Sequence, residues 1–205
     1  MNHVFGAKFD QKWVGDVSLE AALTYLQAAQ TMLKQNHTRG LAALNHLFRA
    51  GDTPDSCLHG RYVGELLALD LAPGFTPLAQ KITGWWMPWQ GKIFDATQAR
   101  GANIFVRHSL PWARLFWPCY RHFVHNRAQT YRAFTFRTWV GPGESDPDLQ
   151  VLKIDYNLPE NPRPTICRVL EELVQVAEGL YLGKAHVHWW WGRWQMLAYF
   201  TLRQG

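Results

Sequence analysis

Residues 180–202, LYLGKAHVHWWWGRWQMLAYFTL, alternate apolar and polar positions on both sides of Gly192. A period of two predicts a β-hairpin, here with its turn at Trp191 and Gly192. Successive side chains of a strand point to opposite faces. Tyr181, Gly183, Ala185, Val187 and Trp189 therefore share one side, and Leu182, Lys184, His186, His188 and Trp190 the other. A hairpin this apolar is not stable alone in water, so it belongs to a larger sheet or a closed barrel. We expect the Lys184, His186 and His188 stripe to look into an enclosed interior.

The remaining pattern supplies partners for that hairpin. Ser18 precedes Leu19, Ala22, Leu23, Leu26, Ala29 and Leu33 at helical spacing, and a second helix carries Leu41, Leu44, Leu47 and Phe48 on one side and ends at Gly51. Strands are expected over 61–69, in WQGKIFD, and over 102–108, 130–140 and 151–158, with Leu152, Ile154 and Tyr156 on one face of the last. Helices are expected over 75–86, stopped by Pro88, and after Pro162 and Pro164, where Val169, Leu170, Leu173 and Val174 would pack inward until Gly179. Helices at the start and strands thereafter give an α+β chain dominated by antiparallel sheet, consistent with a closed β-barrel. We read residues 1–205 as a single domain, with 1–51 a helical cover, 60–205 the barrel and 107–129 an inserted segment rich in arginine and aromatics.

Composition places this pattern among globular proteins, since hydrophobic residues make up 47% of 205. No run is long and apolar enough for a spanning helix, and the start lacks a secretory apolar segment, so a cytoplasmic location is expected. Cys57, Cys119 and Cys167 are widely spaced, which favours reduced thiols over a disulfide framework. The net charge of +5 is unevenly placed. No acid lies between Asp95 and Glu144, whereas Arg100, Arg107, Arg114, Arg121, Arg127, Arg132 and Arg137 all do, a block attractive to anions. Within it, SLPWARLFWPCYRHFVHNR reads as a cover over the barrel mouth with buried aromatics. It also reads as a flap that meets an anionic membrane surface through Trp112, Phe116 and Trp117. It lacks the pattern of an RNA-recognition module, and no nucleic-acid partner is expected.

Gly60, Tyr62 and Gly64 in GRYVGE, with Trp89, Gly91, Lys92 and Phe94 in WQGKIF, resemble the G-x-W-x-G and W-x-G-K-x-F signatures of a small bacterial family of lipocalin-like barrels. Asp155, Tyr156, Leu158 and Pro159 in IDYNLP, with Leu182 and Gly183, are similar to that family's second half. The resemblance covers residues 60–105 and 151–202, and Tyr62 stands where the family has Trp. It implies a calycin-type antiparallel barrel enclosing an apolar ligand, and it carries over no catalytic residue.

The chemistry read from the chain itself is a set of candidates. Tyr62, Glu65, Trp89, Arg137, Trp139, Lys184, His186 and His188 are expected to bind ligand, the cations meeting a polar or anionic end and the aromatics an apolar body. The function expected is an intracellular carrier of a small apolar, anionic, lipid-like or polycyclic molecule held in the barrel. A cofactor-independent isomerase, cyclase or lyase is the alternative, with Asp155, Tyr156, Lys184 and His186 as its acid–base group. A peripheral membrane module is the third reading. His186-x-His188 has the spacing of a barrel metal site but needs a third ligand, such as His122, His125 or Glu65; no metal and no cofactor is expected. A second copy of the chain is retained as a partner. There is no G-x-S-x-G, phosphate loop or dinucleotide fingerprint.

Overall fold

The computed structural model describes residues 18–55, 58–70, 89–126, 129–163 and 165–205. The helix expected over 75–86, and Cys57, lie outside these. Helix α1 (Leu19–Gln35) opens where the Ser18 hydroxyl accepts the Ala21 N–H at 3.2 Å. Asn36 closes α1 and starts α2 (His37–Ala50), its side chain accepting the Arg39 N–H at 3.0 Å. One residue thus serves as the cap of both helices and fixes a tight helical hairpin. Gly40 meets the backbone of Leu33, where a Cβ would clash, so the two helices can touch.

The strands are β1 (Gly60–Leu69), β2 (Trp89–Asp95), β3 (Arg100–Val106), β4 (Val124–His125), β5 (Thr130–Pro142), β6 (Gln150–Asp155), β7 (Val169–Ala177), β8 (Leu180–His188) and β9 (Trp194–Gln204). They pair antiparallel in the order β3-β2-β1-β9-β8-β7-β6-β5, and β3 pairs again with β5. That last pairing closes eight strands into a barrel, which removes exposed sheet edges. The two-residue β4 sits outside the ring, on β5. A short helix, α3 (Leu110–Phe116), follows β3. Leu110, Ala113 and Tyr120 join the interior cluster at this end. The aromatics of this segment, expected to be buried, divide: Tyr120 is buried, and Trp112 and Phe116 are exposed.

Two apolar clusters explain the alternation of the strands. Inside the barrel Tyr62, Phe94, Phe105, Tyr131, Phe136, Phe200 and their neighbours pack together. Outside it Ala22, Leu26, Leu44, Leu47 and Phe48 of the helices cover Val174, Val176, Leu180 and Leu182. The wall under the helices is therefore buried on both faces, and this corrects two expectations. Residues 169–177 are strand β7, not a helix: Leu173 points into the barrel and Val174 beneath the helices. Apolar residues on both faces of a strand imitate helical spacing. The second correction concerns β8. Tyr181 of its apolar face lines the interior, while Leu182, on the Lys184 and His186 side, belongs to the outer cluster beneath the helices.

Candidate functional site

Inside the barrel, β2 carries a bulge. Gly91 has φ +126°, and a Cβ there would overlap the Tyr62 carbonyl oxygen. The bulge turns both Trp89 and Lys92 inward. Lys92 is 1% exposed. Its Nζ lies 2.7 Å from Glu171 Oε2 and donates to Asn103 Oδ1 at 2.7 Å and to the Tyr156 hydroxyl at 2.6 Å. Asn103 Oδ1 also accepts the Trp89 indole N–H at 3.0 Å, and the Tyr156 hydroxyl donates to Glu171 Oε2 at 3.1 Å.

An ammonium has three donors, and all three are used here. The rings of Trp89, Phe136, Tyr156 and Phe200 stand 5.2–5.5 Å from Lys92 Nζ. Burial lowers the Lys92 pKa against the pull of Glu171, and burial with Glu171 raises that of Tyr156. A saturated network among packed rings ties β2, β3 and β7 together and leaves no donor for a guest.

The expected stripe faces outward, and Lys184 is covered by α2. Lys184, 2% exposed, donates to Asn45 Oδ1 at 2.7 Å and to Asp146, which also pairs with Arg49. His186 is fully buried, its Nε2 3.2 Å from the Ser145 hydroxyl. His186 Nδ1 faces Glu172 Oε2 at 3.9 Å, and neither atom has a hydrogen-bond partner. Burial first, and then Lys184, push the His186 pKa down to about 4, while burial raises that of Glu172. Lys184 and His186 therefore do not line the barrel interior. Helix α2 supplies Asn45 to Lys184 and Arg49 to Asp146, so Lys184 is satisfied away from the lumen, while His186 Nδ1 is left without a partner and His188 borders a groove.

Among the described residues, a groove that can admit a small molecule lies on the outer wall. Its volume is about 830 Å³, and it lies between β5–β6, the 157–168 segment and the tip of the β8–β9 hairpin. Its aromatic lining is Trp139, Trp189, Trp190 and Trp194. Its charged lining is Arg137, Lys153, Arg163 and Arg168 against Glu144 and Asp155, four cations to two acids. Arg137 donates twice to Asp155 Oδ2, at 2.9 and 2.7 Å, and lies 5.2 Å from the Trp139 ring. Asp155 is held in turn by the Asn157 N–H at 2.9 Å. Lys153 lies 3.6 Å from Glu144 and 3.7 Å from Glu172. Arg168 donates to the His188 carbonyl at 3.0 Å, and the His188 ring packs on Trp194. Trp189 stacks on Trp191 at 4.8 Å with planes 7° apart.

The sequence-expected residues are thus dispersed. Tyr62, Trp89 and Tyr156 are inside the barrel; Arg137, Trp139, Asp155 and His188 border the outer groove; Lys184 is under α2, and His186 is buried beside Ser145 and Glu172. Glu65 accepts from Gln30 of α1 at 3.0 Å, beside a second groove of about 540 Å³. Asp155, Tyr156, Lys184 and His186 do not converge on one acid–base site. Among the described residues no group of three or more His, Cys, Asp or Glu side chains is placed to hold a metal ion. Arg163, Arg168, Trp189, Trp190 and Trp194 were missed from the expected set. The signal for the tryptophans was present, because three consecutive Trp residues at a turn cannot all enter one core.

No protein-family model matches the chain, and no curated protein matches it. Among solved structures, the crystal structure of a protein from Thermomonospora curvata is similar, with 11% identity and a TM-score of 0.46, over 89% of this chain and 99% of that one. The barrel described above rests on this chain's own strand register.

Proposed function

We propose that this protein binds a small anionic molecule with a planar apolar body, seated in the groove on the outer wall of its barrel. One observation supports this reading above the others: indole rings and an excess of cations line the same groove. Indole faces accept flat apolar surface, and guanidinium groups pair with carboxylate, sulfonate or phosphate. The volume is within the range of small-ligand sites. The carrier reading is kept from the sequence, and its seat moves from the lumen, where Lys92 is saturated, to the wall. The isomerase or lyase reading has no assembled acid–base group to support it.

Fluorescence titration with anthracene-9-carboxylate tests the proposal. Trp139→Ala and Arg163→Gln should each weaken binding roughly tenfold, the loss of one stacking or one charged contact. Glu65→Gln, on the opposite groove, should leave it unchanged. Equal affinity in all three variants would overturn the assignment. Native mass spectrometry of protein from its own source should show a co-purified anion that Trp139→Ala no longer retains.

A further inference from the structure

Eleven large apolar side chains are exposed among the described residues, and seven of them, Trp112, Leu115, Phe116, Val124, Trp190, Trp191 and Trp194, belong to one end of the barrel. The strand register places them together. β3 ends at Val106 opposite Thr130, the start of β5, and β8 ends at His188 opposite Trp194, the start of β9. The antiparallel ring points both junctions in the same direction. The two patches are joined by contacts. The Trp117 indole N–H donates to Thr165 at 2.9 Å, and the segment continues to Arg168, which holds the His188 carbonyl. Trp190 is 71% exposed, Leu115 66% and Trp191 58%.

Cations surround these side chains. Arg107, Arg114 and Arg121 are exposed near α3, as is Arg193 at the hairpin tip, with His108, His122 and His125. Of the acids outside the groove, Glu160 accepts from Thr135 at 3.1 Å and lies 3.9 Å from Arg100.

We infer that this end of the barrel docks on the surface of an anionic lipid bilayer, with Trp190, Trp191 and Leu115 entering the interface and the arginines meeting lipid phosphates and carboxylates. Tryptophan prefers the headgroup boundary, and each cation near an anionic leaflet adds attraction. No helix among the described residues is long and apolar enough to cross a membrane. The same features fit single-stranded nucleic acid less well. Stacking on bases is a matter of ring faces, and Trp189 and Trp191 use one face each on their mutual stack. Leu115 and Val124 have no ring at all.

The patch shares Trp190 and Trp194 with the rim of the ligand groove, and the test separates the two by changing residues that belong to only one of them. The full chain is sedimented with phosphatidylcholine vesicles, with and without phosphatidylserine. Binding should require phosphatidylserine and fall with added salt. The pair Leu115→Ala and Trp191→Ala should abolish pelleting. The pair Arg114→Gln and Arg121→Gln should weaken it roughly tenfold or more. Trp139→Ala, which impairs the groove, should pellet like the parent. Failure to bind phosphatidylserine vesicles, or unchanged pelleting of both double variants, would overturn the inference. So would binding to oligo-deoxythymidine without binding to vesicles.

Discussion

At Gly91 a single backbone angle organises the barrel interior. Its φ of +126° is open to glycine and strained for any other residue, and the Tyr62 carbonyl fills the place of a Cβ. Gly91→Ala should therefore cost on the order of 2–4 kcal/mol, read as a lower urea midpoint. A different logic governs His186, which is buried and neutral. Its folded pKa, about 4, lies below the ordinary value of 6.5. Between these values the unfolded chain binds the proton that the folded chain refuses, so stability is full above about pH 6.5 and is lost as the pH falls toward 4. The loss reaches about 3 kcal/mol at most. Glu172 works in the opposite sense, since its raised pKa favours the folded state at low pH. In urea melts between pH 7 and pH 4.5, His186→Gln should show a smaller decline than the parent chain. An equal decline would place the acid sensitivity elsewhere.

At the level of elements, the sequence was readable where one face of a strand or helix is apolar. Ser18 and the spacing of Leu19 to Leu33 gave α1, and the alternation after Thr130 gave β5. It misled where both faces are buried, at β7 and on the polar side of β8. A stripe of Lys and His reads as wet or lumenal because no local signal reveals that a distant helix will meet it. Asn45 and Arg49 are separated from Lys184 by most of the chain, yet they complete its environment. The candidate site suffered in the same way: Arg137 and Trp139 are close in sequence, while Arg163, Arg168 and Trp190 reach the groove from other elements. Helix α2 is accordingly a structural cover. Phe48 is fully buried, 4.2 Å from Lys184 Nζ. Phe48→Ala should destabilise the chain by about 3–5 kcal/mol, through the cavity and the exposed ammonium. Thermal melts of that variant, compared with an exposed change such as Thr38→Ala, measure the difference.

At the scale of the whole molecule, the barrel separates holding together from binding. Its interior is closed by strand pairing, packed with rings and tied by Lys92, Glu171, Tyr156 and Asn103, whereas Trp139, Trp190, Trp194 and an excess of cations line the groove outside. Variants of the two regions should therefore respond independently. Lys92→Met alone strands Glu171 without its partner and should cost about 3–5 kcal/mol. Adding Glu171→Leu removes the orphaned charge and should recover most of that loss, because a buried ion pair exchanged for apolar side chains is often neutral. The double variant should still bind anthracene-9-carboxylate within about twofold of the parent, a shift below the energy of one lost contact. If affinity instead collapses while the fold survives, the ligand enters the barrel and the Lys92 network opens to receive it. A site on the wall requires the opposite: Trp139→Ala weakens binding roughly tenfold and leaves the melting temperature near that of the parent, because the ring it removes is partly exposed.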